Sequence, residues 1–229
     1  MAINFGNDIE ESIISFVDRS DADLLTYYSR DTNNKITDQD FTYISDLINT
    51  FGNTERGKLN FMIHTLGGNI NSTFSMVNFL KEKYPNSINT IVFRAAKSSG
   101  AFMALTANEL YMQTGSILSD FALDPNSYKS EYETARHESV MLAFAGIPAV
   151  MRGEYWIQKF VTPQKVHATP IPKNELLAEG RGKIKKLSTF GCRTKPIGHV
   201  HNRIVSEMRN NPSLAKVIGI NQDLFCSLV

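Results

Sequence analysis

The chain has 229 residues, 42% of them hydrophobic and 21% charged, which is typical of a soluble globular protein of about one domain. Its 24 Lys and Arg residues against 23 Asp and Glu residues leave a net charge of +1, so composition gives no overall electrostatic reason to bind nucleic acid or an acidic membrane. Two cysteines, Cys192 and Cys226, are too few for a disulfide framework and favour reduced thiols in a cytoplasmic protein. Because no apolar stretch has the length and flanks of an export signal or a membrane span, we expect no membrane insertion.

The first third of the chain predicts a helix, a strand and a second helix. Asp8 can cap the first helix, whose apolar residues recur at helical spacing: Ile9, Ile13, Phe16 and Val17. Asp23–Ser29 is predicted to be a strand, closed by a turn-rich run at residues 31–34. Thr37 can cap the second helix, for which the predicted buried stripe is Phe41, Ile44, Leu47, Ile48 and Phe51.

The middle third alternates short apolar runs with helical patterns. The predicted strands are Leu59–His64, Thr90–Ala95 and Glu109–Gln113. The first is followed by Gly67-Gly68 and a helix that stops at Tyr84, and the second by Lys97-Ser98-Ser99-Gly100 and a short helix. Strands that alternate with helices predict βαβ units, and therefore an α/β fold with a mainly parallel sheet.

The second half is less periodic. Its predicted elements are a long helix over Tyr128–Ala145, a helical stretch to Phe160, an extended segment over Val161–Ile171, a helix over Lys173–Ala178, a strand over Gly182–Leu187 and a helix over His201–Arg209. We expect a single domain over residues 1–229, with a core at about 20–187 and a C-terminal tail and helix at about 188–229.

The glycine pair Gly67-Gly68 follows a predicted strand directly. Glycines let the backbone approach a ligand closely, so their N–H groups could hold a developing oxyanion. An ordinary tight turn is the alternative, and it is the better interpretation for a glycine pair taken alone. The spacing fits neither the dinucleotide-binding nor the Walker phosphate loop.

Ser98 lies between a predicted strand and a predicted helix, at the sheet edge where α/β proteins bind ligands. It could be a nucleophile, or it could simply cap the helix. The elbow motif of α/β-hydrolases is absent, because position 96 is alanine. The helix between the two strands is expected to place both turns on one sheet edge. A nucleophile and oxyanion donors on adjacent parallel strands are two of the parts that acyl transfer needs.

The stretch Phe61–Pro125 resembles the Clp/crotonase superfamily, and within it the serine dehydrogenase proteinase and signal-peptide-peptidase branches. His64–Gly68 resembles the H-x-P-G-G turn of that superfamily, with leucine in place of proline. Ser98–Leu110 resembles its S-A-G-T-x-x-A-L-A-A-D-E-I segment, and Leu118–Pro125 its S-x-L-G-P-I-D-P segment. More weakly, Val166–Gly180 resembles a later segment. The resemblance implies a Clp/crotonase-like spiral of βαβ units with C-terminal helices.

The resemblance also implies roles for single residues. Ser98 takes the place of the nucleophile, and the oxyanion hole is expected from the N–H groups of Gly68 and Ser99, together with the Gly67 turn. A triad branch would place a histidine where this chain has Ser119-Asp120-Phe121. By the resemblance, Lys129 is the first candidate for the general base, although Glu133 stands four residues later and could simply pair with it. His137, two turns further along the same face of the predicted helix, is the second candidate.

The expected function is therefore a soluble, ATP-independent type of serine hydrolase, a peptidase that acts on peptide or protein substrates through an acyl-enzyme on Ser98. The alternatives are a non-catalytic scaffold or binding protein of the same fold and a crotonase-like acyl-CoA enzyme. No cofactor or metal is expected; His199 and His201 are interpreted as surface or loop residues, since no carboxylate or cysteine cluster accompanies them. The resemblance implies a homo-oligomer, as a trimer, hexamer or larger ring.

Overall fold

A mixed β-sheet with helices on both faces forms the part of the chain that the computed structural model describes, residues 6–30, 35–120, 170–179, 182–221 and 223–228. Its strands are β1 (Asp23–Ser29), β2 (Lys58–Thr65), β3 (Ser87–Ala96), β4 (Glu109–Met112), β5 (Ile117–Ser119), β6 (Pro170–Pro172), β7 (Ile184–Lys186), β8 (Leu214–Ile220) and β9 (Asp223–Leu228). Its α-helices are α1 (Asn7–Ser20), α2 (Asp38–Phe51), α3 (Ile70–Lys83), α4 (Ser99–Leu105), α5 (Lys173–Glu179) and α6 (Thr194–Asn210). None of these helices is long and apolar enough to cross a membrane.

Parallel strands form the centre of the sheet, as the alternation of strands and helices predicts. The strand order is β6-β5-β3-β2-β1-β8-β9, and β4 pairs with both β3 and β7. The pairs β1–β2, β2–β3, β3–β4, β3–β5 and β4–β7 are parallel, whereas β8, β9 and β6 are antiparallel to their neighbours. The predicted α/β class with a mainly parallel sheet is confirmed.

The two faces of the sheet carry separate apolar layers. Successive residues of a strand point to opposite faces, so Phe61 and Ile63 of β2 pack with α2, α3 and α4, and Met62 packs with α1 and α6. The sheet is therefore covered on both sides, which explains why β1 is buried along its whole length.

Most predicted helix positions of the first half are confirmed. The four apolar residues predicted for α1 are buried, and Thr37 caps α2 in a capping box with Asp40. Two details are wrong. Gly6 precedes α1, so Asp8 lies in the first turn rather than at the cap, and Phe51 ends α2 with 44% of its surface exposed.

The C-terminal region differs from the predicted tail and helix. The predicted helix is the last part of the longer α6, and a hairpin of β8 and β9 follows, with β8 antiparallel to β1. Sequence reasoning misses β8 because Lys216 interrupts its apolar run, and a lysine is rarely buried unless it is paired. The long helices predicted over residues 128–160 lie outside the described residues.

Lys216 is buried because it forms an ion pair with Asp40 of α2. Its Nζ donates to both carboxylate oxygens, at 2.9 and 2.7 Å, and to the Lys35 carbonyl at 2.8 Å. The Tyr27 hydroxyl donates to the same carboxylate at 3.1 Å, and burial together with the Asp40 charge raises the pKa of Tyr27 well above its usual value. This network joins β8, β1, α2 and the segment that leads into α2.

Replacing Asp40 with asparagine is expected to lower the free energy of unfolding by about 3–5 kcal/mol, because it leaves the Lys216 ammonium buried without its counter-charge. Chemical denaturation measures the change. Asp21→Asn is the matched control, since the Asp21–Lys58 pair is exposed and its loss should matter far less. Equal effects of the two substitutions would contradict this interpretation.

Candidate active site

The glycine turn after β2 and the serine turn after β3 are in contact. Thr65 pairs with Ala96 in parallel register, and the Lys97 N–H donates to the Thr65 carbonyl at 3.0 Å. Gly67 has φ +99°, and a Cβ there would lie 2.6 Å from the Ser98 Cβ and 2.8 Å from the Lys97 carbonyl oxygen. Only glycine allows both this backbone conformation and this close approach. The two turns thus meet at one edge of the sheet, as predicted.

The side chain of Thr65 holds both turns. Its Oγ1 accepts hydrogen bonds from the Gly67 N–H at 3.1 Å and from the Ser29 hydroxyl at 2.8 Å, and the residue is fully buried. Its methyl group packs against Gly100 in the first turn of α4, where a Cβ would lie 2.3 Å away. Thr65 therefore fixes the glycine turn through its hydroxyl and the serine turn through its methyl group.

The residue before Thr37, Ile36, supports the glycine turn from the other side. The Ile36 N–H donates to the Gly67 carbonyl at 2.9 Å, and the Asn69 N–H donates to the Ile36 carbonyl at 2.8 Å. A Cβ on Gly68 would lie 2.2 Å from the Ile36 nitrogen. Because Lys216 binds the carbonyl of the preceding residue, the buried ion pair of the fold also buttresses this turn.

Ser98 has a strained backbone. Its φ of +50° and ψ of −130° are rare for a residue with a side chain. It stands at the N-cap position of α4, yet its side chain makes no capping hydrogen bond within the described helix, so capping does not explain it. Its N–H donates instead to the Ser119 hydroxyl at 2.9 Å. Strain that the surrounding contacts maintain is typical of functional residues.

The backbone N–H groups around Ser98 fall into two sets. In the first set, the Gly67 N–H donates to the Thr65 hydroxyl. The Gly100 N–H donates to the Lys97 carbonyl, and the Ala101 N–H donates to the Ser98 carbonyl. Those of Gly68 and Ser99 donate to no acceptor in the described part of the chain. Of the three residues predicted for the oxyanion hole, the Gly67 N–H is therefore already used, whereas the Gly68 and Ser99 N–H groups have no acceptor among the described residues. The oxyanion hole itself stays a prediction.

The candidate general bases Lys129 and His137 lie outside the described residues. A contact that sequence reasoning misses is that of Ser119, at the end of β5. Its buried hydroxyl accepts the Ser98 N–H and donates to the Asp120 carbonyl at 3.2 Å. The sequence signal that could have indicated this contact is the polar pair Ser119-Asp120, which directly follows the apolar residues Ile117 and Leu118.

A basic cavity of about 540 Å³ opens beside the two turns, on the face of the sheet that α1 and α6 cover. We use this name for the space lined by His64, Leu66, Arg94, Lys97, Gln113 and His201, among others. Among its described lining residues there is no carboxylate. It begins where the turns meet, since Leu66 and Lys97 immediately precede Gly67 and Ser98.

Two imidazoles in this cavity are held uncharged. Burial, followed by the charge of Arg94, lowers the pKa of His64 to about 4. Burial, followed by the proximity of His64 and Arg94, lowers the pKa of His201 to about 4. The predicted surface position is therefore wrong for His201, whose ring stacks on Phe93 with centroids 4.3 Å apart. His199 is exposed and contacts Asp8.

Comparisons with known proteins give structural neighbours only. No protein-family model matches the chain, and no curated protein matches it. An alanine mutant of the 1510-N membrane-bound stomatin-specific protease is similar over 67% of this chain and 76% of its own, at 13% identity and a TM-score of 0.47. A second mutant of that protease, in complex with a substrate peptide, covers 67% and 72% at 14% identity and 0.46. The 1510-N protease specific for a stomatin homolog, from Pyrococcus horikoshii, covers 68% and 70% at 15% identity and 0.44.

Thr65→Val is expected to lower the free energy of unfolding by about 1–3 kcal/mol, because the shape is kept while the buried Gly67 N–H and Ser29 hydroxyl lose their acceptor. Thr90→Val makes the same chemical change at a buried hydroxyl that has no hydrogen-bond partner among the described residues. It should leave stability unchanged or raise it. Chemical denaturation of both variants measures the change in the free energy of unfolding. Equal changes would show that the hydrogen bonds of the Thr65 hydroxyl do not stabilise the fold.

Stability is expected to fall as the pH drops from about 6.5 towards 4. Over this range the unfolded chain protonates His64 and His201 at their ordinary pKa near 6.5, whereas the folded chain does not until its pKa of about 4. The unfolded state therefore binds more protons. The free energy of unfolding, measured by urea denaturation at several pH values, should depend less steeply on pH for His201→Gln than for the wild type. An identical pH dependence would be inconsistent with a neutral, buried His201.

Proposed function

We propose that the protein is a serine hydrolase, specifically a peptidase, that works through an acyl-enzyme on Ser98. The observation that carries this proposal is the contact between the glycine turn and Ser98. The N–H groups of the next residue of each turn, Gly68 and Ser99, have no acceptor among the described residues. A nucleophile next to unpaired backbone donors is the combination that acyl transfer requires. The strained backbone of Ser98 supports the same interpretation.

The reaction follows from these parts. The Ser98 hydroxyl oxygen bonds to the carbonyl carbon of the scissile peptide bond while its proton passes to a general base. The carbonyl oxygen becomes negatively charged and accepts hydrogen bonds from the N–H groups of Gly68 and Ser99. The C–N bond then breaks, the leaving amine takes up the proton, and water hydrolyses the ester in the same way. We assign the base to Lys129, on the resemblance described above, or to His137, which lies two turns further along the same predicted helix.

The Gly67 N–H has a supporting role in this mechanism. Because it is bound to Thr65, it cannot turn towards a substrate without losing a buried hydrogen bond. It therefore keeps the next peptide group fixed, so that the Gly68 N–H needs no reorganisation when charge develops on the substrate. Such preorganisation is the main source of oxyanion stabilisation.

Ser98→Ala is expected to abolish both labelling by a fluorophosphonate probe and cleavage of a peptide library. Ser99→Ala is the matched control, because its hydroxyl is buried without a hydrogen-bond partner among the described residues and its backbone N–H is retained. That variant should keep labelling and activity close to the wild type. Mass spectrometry of the labelled peptide identifies the modified serine.

Two outcomes would contradict the proposal. Labelling that survives Ser98→Ala and disappears in Ser99→Ala would move the nucleophile by one residue. A wild-type protein that neither reacts with the probe nor cleaves any peptide would favour the non-catalytic scaffold of the same fold.

A further inference from the structure

The basic cavity carries positive charge that nothing in the described structure neutralises. Arg94 and Lys97 line it, and neither has a carboxylate partner among the described residues. A smaller cavity of about 160 Å³ shares His64 and Arg94 with it and adds Arg30 and Arg209. Arg30 donates to the backbone carbonyls of residues 211 and 212, not to a carboxylate. The protein as a whole is almost neutral, so this is a local concentration of cations.

The neutral groups of the cavity suit an anion as well. The amides of Gln113 and Asn202 line it and can donate hydrogen bonds. The His64 Nδ1 lies 3.2 Å from the Ala95 carbonyl, which can only accept, so Nδ1 carries the hydrogen and the ring orientation is fixed. The charge of Arg94 reaches His64 and His201, since it contributes to the lowered pKa of both. A bound anion would compensate a charge that the described residues leave uncompensated.

The position of the cavity connects it with the proposed reaction. Ser98 is four positions after Arg94 in the chain, so their Cα atoms are at most about 14 Å apart. An extended peptide advances about 3.3 Å per residue, and it therefore covers this distance in about four residues. An arginine guanidinium binds a carboxylate with two parallel hydrogen bonds, which makes it a specific partner for Asp or Glu.

We propose that the basic cavity is a subsite for an acidic side chain of the peptide substrate, within about four residues of the bond that Ser98 attacks. This inference rests on the proposed peptidase function, because it names the class of substrate for that site. Arg94 is the residue that binds the substrate carboxylate directly, and the other cations attract this carboxylate electrostatically. The protein should therefore prefer peptides with Asp or Glu at one defined position over the same peptides with Asn or Gln.

The test uses capped fluorogenic octapeptides in pairs that differ only by Glu or Gln at one position. For the wild type we expect kcat/KM to favour the Glu peptide about tenfold at one position, the value of one charge-assisted pair. Arg94→Gln should reduce this ratio to about one. Lys195→Gln, which removes an exposed charge on α6 outside the cavity lining, should leave the ratio as in the wild type.

The outcomes separate this proposal from the proposed function. If wild-type protein cleaves peptides with a ratio of about one at every position, or if the ratio survives Arg94→Gln, the subsite is wrong and the peptidase stands. If no peptide is cleaved, fluorescence anisotropy with the Ser98→Ala protein measures binding of the same pairs. If the Glu peptide binds more tightly than its Gln partner and Arg94→Gln abolishes this difference, the carboxylate site is supported. If the two peptides bind equally, the proposal is overturned. Inorganic phosphate that binds at Arg94 while no peptide pair is discriminated indicates a small-anion site and also overturns the proposal.

Discussion

The hydrogen bond from the Gly67 N–H to the Thr65 hydroxyl is the contact on which the candidate site depends. It holds the glycine turn in a conformation that only glycine adopts, and it brings that turn against Ser98 without a side chain between them. The methyl group of the same threonine contacts Gly100. One buried side chain therefore determines the spacing of the two turns. It also determines the position of the Gly68 and Ser99 N–H groups, which have no acceptor within the described ranges.

This local arrangement rests on a network that extends through the fold. Lys216, near the C-terminus, binds Asp40 and the Lys35 carbonyl, and the next residue, Ile36, is bonded to both ends of the glycine turn. A buried ion pair contributes little net stability but is costly to break, so its value here is in specifying one arrangement of the chain. Through this network the antiparallel strand β8 supports the sheet edge at which the parallel strands end and Ser98 lies.

Local patterns predict much of this fold. The bounds of β1 are as predicted, and α3 ends at Lys83 with Tyr84 as its C-cap, because apolar periodicity and capping are local properties. The meeting of the two turns is also predictable, since parallel strands joined by a helix end at the same sheet edge. The buried Lys216 is not, because it depends on a partner 176 residues away. For the same reason the burial of His201, the role of Thr65 and the cations around Arg94 become visible only when distant segments are brought together.

In the proposed mechanism, Ser98 attacks a carbonyl whose oxygen accepts hydrogen bonds from the Gly68 and Ser99 N–H groups. A crystal structure of the protein with a peptide aldehyde tests it most directly, because the adduct resembles the tetrahedral intermediate. We expect a covalent bond from the Ser98 Oγ to the aldehyde carbon, with the adduct oxygen about 2.7–3.1 Å from both nitrogens. An adduct on another residue, or an oxygen that contacts neither N–H group, would contradict it.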